Sequence, residues 1–334
     1  MERKKILLTT GIYPPKIGGP AQYAKNLKVA LENLGHQVRV ETYTKEHKLP
    51  TGARHIFFFI KIIKSVIWSD LVISLDTFSV GLPSVFTSKL FGKKCLIRTG
   101  GDFLWEQYSE RTNKKVLLNN FYKSEKEFFS LKEKIIFKLT KWTLQNVSFL
   151  IFSTDWQRKI FIEPYEINEK KTGIIENYYG EKESDLPFEN KEFVGGGRKL
   201  FLKNLDLIRV VFEEVKRDHP DILLFTDNLP YDEFLKKISK SYAVVLISLG
   251  DISPNMIMDA IRFNRPFICT KEVGIYDRIK NAGIFVDPLN KDEVKSAFIY
   301  LLSEQGYKEA KQKVNNFNFV HTWDDIAKEF TNYF

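Results

Sequence analysis

The chain has 334 residues, too many for one typical core and enough for two domains. Its 43% hydrophobic content and scattered charges exclude a disordered chain. The net charge of +9 is uneven: Lys and Arg outnumber Asp and Glu by 29 to 16 over residues 1–172, while the remainder holds 22 against 26. A basic first half suits an anionic membrane surface, a nucleic acid or a phosphorylated substrate; the plainer reading is a solvated surface.

Cys95 and Cys269 lie far apart in apolar runs. They give no disulfide framework and point to a reducing cytoplasm. Ile6, Leu7 and Leu8 are too short an apolar run for a signal peptide. Residues 56–73 form the longest apolar stretch, interrupted by Lys61, Lys64, Ser65 and Asp70. A bilayer span needs roughly 20 mostly apolar residues, so no transmembrane helix is expected.

Residues 5–10 read as a buried strand, and residues 11–20, rich in Pro and Gly, as a loop. Tyr23, Leu27, Ala30, Leu31 and Leu34 repeat at helical spacing, and Gly35 closes that helix. Residues 37–43 follow as a second strand. This βαβ opening predicts a parallel sheet, whose ligands bind beyond the carboxyl ends of the strands. Gly18 and Gly19 lie at such an end, where glycine lets a phosphate or sugar approach the backbone. No dinucleotide fingerprint occurs.

A helix over 57–68, a strand over 71–75, a helix over 85–91 and a strand over 94–98 come next. The following loop holds Arg98, Gly100, Gly101 and Asp102, either a site or a turn closed by an Arg–Asp pair. Residues 111–141 read as a basic amphipathic helical stretch, which either rests on an anionic membrane surface or packs in a core. A strand over 148–153, a helix from Asp155 and a short strand at 173–175 follow. The polar residues 178–192 mark a domain boundary.

The second half restarts with a strand over 192–195 and the loop Gly195-Gly196-Gly197-Arg198. Arg198 and Lys203 bracket the approach to a helix over 205–216. Two cations there can neutralise a diphosphate as it leaves, or are surface charge. A strand over 221–226 and a helix over 231–239 lead to the apolar run 242–249. That run ends in a Gly250-Asp251 turn, and Pro254 is expected to open a helix. The amides of Ser253, Asn255 and Met256 would be unpaired there, a seat for an anion framed by Asp251 and Asp259. The plainer reading makes Asp251 the cap of that helix. A strand over 266–269, a loop ending at Gly274, a strand over 283–286 and an aromatic terminal helix over 318–334 complete the chain.

The chain resembles the family 4 glycosyltransferases, built from two Rossmann-like domains of the GT-B type. The likeness rests on the loop after the first strand, Gly197-Arg198 with Lys203, the Asp251…Asp259 spacing where the family has two Glu, and Val286-Asp287-Pro288. It implies an α/β fold with two domains facing across a cleft: an acceptor-side domain over 1–178, a donor domain over 193–317, and residues 318–334 returning to the first. The short stretch between Lys216 and Asp251 leaves the second domain trimmed, and Ser253-Pro254-Asn255 replaces the family's Gly-Phe-Gly type of turn.

The resemblance further implies a retaining transfer from a nucleotide-diphosphate sugar to a lipid-linked or polysaccharide acceptor, with no bound metal or cofactor. Asp251 and Asp102 would serve the chemistry. Gly18, Gly19, Arg198, Lys203, Ser253, Asn255, Asp259 and Gly274 would hold the donor, and Arg98, Gly100 and Gly101 would lie on the acceptor side. The implied place is the cytoplasm, extended to the inner face of the membrane, with no nucleic-acid partner. The alternative is a non-catalytic nucleotide-sugar or glycan binding protein that kept the fold.

Overall fold

The computed structural model describes residues 2–16, 18–196 and 200–334, apart from the side chains of Lys45, His47 and Thr51. It divides into two compact units. One comprises Met1–Leu104, Glu125–Tyr178 and His321–Phe334; the other comprises Trp105–Ser124 and Tyr179–Val320.

The first unit is built on six parallel strands, β1 (Lys5–Thr10), β2 (Gln37–Thr42), β3 (Leu71–Ser74), β4 (Lys94–Thr99), β5 (Phe149–Phe152) and β6 (Thr172–Ile174), in the order β2-β1-β3-β4-β5-β6. β1 is buried from its second residue onward, as expected for a strand covered on both faces. The connections are α1 (Gly19–Asn33), α2 (Thr51–Trp68), α3 (Gly81–Leu90), α4 (Phe103–Thr112), α5 (Phe121–Ser124), α6 (Leu131–Asn146) and α7 (Asp155–Tyr165). The chain travels one way from β1 to β2 and the other way from β2 to β3. Right-handed crossovers therefore put α1 on one face of the sheet and α2, α3 and α6 on the other.

The second unit has five parallel strands, β7 (Lys191–Val194), β8 (Ile222–Phe225), β9 (Ala243–Leu246), β10 (Phe267–Thr270) and β11 (Ile284–Val286), in the order β11-β10-β9-β7-β8. Its helices are α8 (Leu205–Lys216), α9 (Tyr231–Ser239), α10 (Asn255–Arg262), α11 (Tyr276–Ile279), α12 (Lys291–Leu302) and α13 (Glu304–Asn315). One core layer, around Phe193, Phe212, Val245 and Phe298, lies under α8 and α12. The other, around Val244, Ile257, Ile261 and Phe267, lies under α10. The last helix, α14 (Trp323–Thr331), packs on α1, with Ile326, Ala327 and Phe330 in the core of the first unit.

Several elements depart from the sequence reading. The stretch 111–141 is not one helix. Asn113 adopts a left-handed backbone just after α4, and a capping box of Ser130 and Glu133 starts α6 afresh. Trp105–Ser124, which takes in the first part of that stretch, groups with the second unit. Within the polar segment 178–192, Tyr178 closes a stretch of the first unit and the residues from Tyr179 onward belong to the second. There Glu183 pairs with Arg262 at 2.6 Å, and Lys182 Nζ donates to the carbonyls of Ile261 and Val314. The terminal helix begins only at Trp323, because Thr322 and Asp325 form its capping box.

Candidate functional site

An open parallel sheet binds ligands where the chain reverses its direction of travel across the sheet. In the second unit that point lies between β7 and β9, at their carboxyl ends. Lys203 comes from the loop after β7, and Asp251 from the loop after β9. Lys203 Nζ donates to Asp251 Oδ2 at 2.6 Å, with the two side chains 22% and 17% exposed.

Backbone pairing fixes this pair. Leu249 N–H donates to Leu202 O at 2.9 Å, tying the two loops together. Asp251 N–H donates to Glu272 O, and Gly274 N–H donates to Asp251 O, each at 2.9 Å. Lys203, Asp251 and Gly274 are therefore brought together. Asp251 is not a helix cap: α10 has no side-chain cap, since the carboxylate is spent on Lys203. Pro254, expected as the first helical residue, is the N-cap, and α10 starts at Asn255.

The first turn of α10 holds no acidic residue. Asn255 and Met256 start the helix before the first hydrogen bonds close, from Ile257 and Met258 to Pro254 O. Ser253 Oγ lies 3.9 Å from Met258 Sδ. Asp259 follows one turn in, 8% exposed, with no hydrogen bond to its carboxyl among the described residues. Burial pushes its pKa up to about 7, against a smaller opposing pull from Arg262. Arg198, the second expected cation, lies outside the described residues.

Two features escaped the sequence reading. Glu272 Oε2 is buried without a partner among the described residues, and burial, with nearby Asp287, raises its pKa. The segment after Leu104 packs on the turn at Gly250: Leu118 N–H donates to Leu249 O at 3.2 Å, and Trp105 Nε1 donates to Val116 O at 3.0 Å. A side chain at Gly250 would stand 2.6 Å from Leu118 Cβ. The apolar run Val116-Leu117-Leu118 was the available signal, inside a stretch read as helical.

In the first unit the reversal falls between β1 and β3. Gly18, at the end of the loop after β1, has φ 149°, a conformation suited to glycine, and it caps α1 without a side chain. Gly19 is already the first residue of α1, not part of the loop. No acidic residue occupies that first turn. After β3, by contrast, Asp76 accepts from the amides of Phe78, Val80 and Gly81 and fills the start of α3 with its own carboxylate. At the start of α1 no side chain among the described residues plays that part.

Arg98, at the end of β4, is 7% exposed. Its guanidinium donates to Asn177 Oδ1 and lies 4.0 Å from the centre of the Tyr23 ring. Gly100 lies against it, because a Cβ there would stand 2.5 Å from Arg98 Nη1. Asp102, 3% exposed, accepts from Leu104 N–H at 3.1 Å at the start of α4, and Gly101 O accepts from Thr99 Oγ1 at 3.1 Å. No Arg98–Asp102 ion pair closes the loop among the described residues. No group of three or more His, Cys, Asp or Glu among them could hold a metal ion.

No protein-family model and no curated protein matches the sequence. Solved structures do match over nearly the whole chain. Sucrose-phosphate synthase from Thermosynechococcus elongatus superposes with TM-score 0.71 at 13% identity, covering 99% of this chain and 98% of that one. Anabaena HepE in complex with UDP-glucose gives 0.68 at 12%, covering 99% and 100%. WaaG, a glycosyltransferase involved in lipopolysaccharide biosynthesis, gives 0.67 at 11%, covering 98% and 99%. The fold is the GT-B fold, two Rossmann-like α/β units.

Proposed function

We propose that this chain is a glycosyltransferase that takes a sugar from a nucleotide-diphosphate donor, with retention and without a metal ion. The observation that carries the reading is the Lys203–Asp251 pair, at the point of reversal of the second sheet, in the loop leading to an uncapped helix. Breaking the bond to the donor sugar develops negative charge on the diphosphate. A fixed ammonium and the helix amides stabilise that charge where it forms. Arg198 is assigned to the same diphosphate, Asp251 to the donor sugar and Asp259 to the ribose hydroxyls, with Gly274 beside Asp251. In the first unit, Gly18 and Gly19 are assigned to phosphate, and Asp102 with Arg98, Gly100 and Gly101 to the acceptor, of lipid-linked or polysaccharide type. The family 4 pattern supports this assignment, and HepE's UDP-glucose complex makes uridine the base to try first.

The test is thermal stability with UDP, GDP, ADP, CMP and dTDP, each with and without a sugar. Ligand at a hundred times its dissociation constant adds about 2.7 kcal/mol of apparent stability. One diphosphate is expected to shift the midpoint, and Lys203→Met is expected to abolish most of that shift. No shift with any of the five rejects the donor site.

The second reading, a binder without chemistry, draws on the engagement of Lys203 by Asp251 and on Asp standing where the family has Glu. Mass spectrometry of the matching nucleotide sugar separates the two: transfer or slow hydrolysis supports the enzyme, whereas binding with no turnover supports the binder.

A further inference from the structure

Three helices of the first unit carry an apolar surface that the proposed transfer does not use. α2 packs on α3 and α3 on α6, and a chain of rings joins them: Phe59 to Phe86 at 5.5 Å and Phe86 to Trp142 at 6.1 Å. Phe86, in the middle of this chain, is nevertheless 51% exposed. On α2, Ile56, Ile60 and Ile67 are exposed at helical spacing, so they share one face. On α6, Leu131, Ile135 and Leu139 do the same at intervals of four, Leu131 being 76% exposed. Scattered exposed apolar residues need no explanation, but a contiguous set on three adjoining helices marks an interaction surface.

Charge selects the partner. The three helices hold eight Lys or Arg and a single carboxylate, Glu133, which is buried in the capping box of α6. Lys64 lies between Ile60 and Ile67 on the α2 face, and Lys132, Lys134 and Lys138 flank Ile135. All four are exposed and make no ion pair among the described residues. A second copy of the chain docked through the same face would set these cations against each other. An anionic surface would be attracted by them and would also cover the apolar side chains. No described helix is long and apolar enough to cross a membrane, so the contact is one of lying on the surface.

We propose that the α2–α3–α6 face is a docking surface for an anionic lipid bilayer, with Phe86, Ile60 and Ile135 entering the headgroup region and Lys64, Lys132, Lys134 and Lys138 pairing with lipid phosphates. It keeps only the last part of the basic stretch 111–141 singled out in the sequence, the part that lies in α6, and joins α2 and α3 to it, since the earlier part of that stretch is broken and belongs to the other unit. It stands independently of the transfer reaction.

The test is sedimentation of the full chain with vesicles of 40% phosphatidylglycerol in phosphatidylcholine at low salt. Binding is expected there, with little to pure phosphatidylcholine and a loss as salt rises. The triple variant Lys132→Glu, Lys134→Glu, Lys138→Glu is expected to weaken partitioning at least about tenfold, since each basic residue near such a surface contributes several-fold. Ile60→Ser with Ile135→Ser is expected to weaken it with the charge unchanged. A control with the same charge change elsewhere, Lys25→Glu, Lys313→Glu, Lys328→Glu, is expected to retain most binding; equal loss in control and triple variant overturns the proposal. No binding by the wild-type chain overturns it, as does a concentration-dependent dimer that the Ile60→Ser, Ile135→Ser variant dissolves. Circular dichroism checks that each variant is folded, and the exposed sites chosen leave the core untouched.

Discussion

Lys203 Nζ stands 2.6 Å from Asp251 Oδ2, and the two residues come from loops after strands β7 and β9, which pair side by side. The pair is neither on the open surface nor fully buried. Its worth therefore lies between the fraction of a kcal/mol of an exposed pair and the several kcal/mol lost when a buried one is broken. Asp251→Asn is expected to cost about 1–2 kcal/mol in urea unfolding without a change in slope. Lys203→Met is expected to cost a similar amount and, in addition, at least tenfold in diphosphate affinity by calorimetry. Equal diphosphate affinity in Lys203→Met and the wild type removes the lysine from the donor site.

Asp259 gives a pH dependence whose sign follows from its burial. Its folded pKa of about 7 lies above the ordinary value of 3.8. Between those values the folded state holds a proton that the unfolded state has released. Stability is therefore full below about pH 4 and falls as pH rises to about 7, at roughly 1.4 kcal/mol per unit over that window. Asp259→Asn keeps the shape without the ionisation. It is expected to match the wild type at pH 4 and to be more stable by a few kcal/mol at pH 8. If ribose hydroxyls donate to this carboxylate, wild-type donor affinity also rises through about pH 7, while the Asn variant stays flat. Identical stability-against-pH curves for the two proteins would remove Asp259 as the source.

The alternation of strand and helix was legible because it rests on local periodicity. Residues 205–216 repeat apolar side chains at helical spacing, and the observed α8 covers the same range. Lys203 and Asp251 were legible as separate residues at strand ends, but their pairing depends on β9 lying next to β7, which no local pattern encodes. The break after Thr112 was missed because Asn113 supplies a left-handed residue that reads as ordinary polar sequence. The start of α6 was available in the Ser130…Glu133 spacing. The helix over 57–68 was legible but its exposed apolar face was not, since helical periodicity shows that a face is apolar and not what covers it.

Gly250 is held by a close approach. A Cβ would meet Leu118 Cβ at 2.6 Å and Trp105 Cη2 at 3.2 Å, so Gly250→Ala displaces the segment on which Trp105 and Leu118 sit. Overpacking of this kind costs about 1–3 kcal/mol. Leu118→Ala does not relieve it, because alanine keeps the offending Cβ. Leu118→Gly is expected to recover part of the loss. Double-mutant cycles in urea read the coupling: a cycle energy near zero for Gly250→Ala with Leu118→Gly would show that the clash is absorbed elsewhere.

Arg98 is a buried cation whose described contacts are the Asn177 amide oxygen and the Tyr23 ring, with its Nε left without a partner among the described residues. The Asn177 carbonyl lies 3.0 Å from His321 Nδ1. A carbonyl only accepts, so Nδ1 carries the proton there. Asn177 thus links β4 to the segment leading into α14. Asn177→Ala removes a hydrogen bond to a charged group and is expected to cost about 1.5–3 kcal/mol. Asn177→Asp keeps an acceptor oxygen and adds the counter-charge that Arg98 lacks in these contacts, so it is expected to be at least as stable as the wild type near neutral pH. That gain is expected to disappear at low pH, where the new carboxylate takes up a proton. If Asp at this position is instead as damaging as Ala, the amide N–H₂ and not the acceptor oxygen is the group that matters. If Asp preserves stability while transfer falls at least tenfold, the charge of Arg98 serves the acceptor as well as the fold.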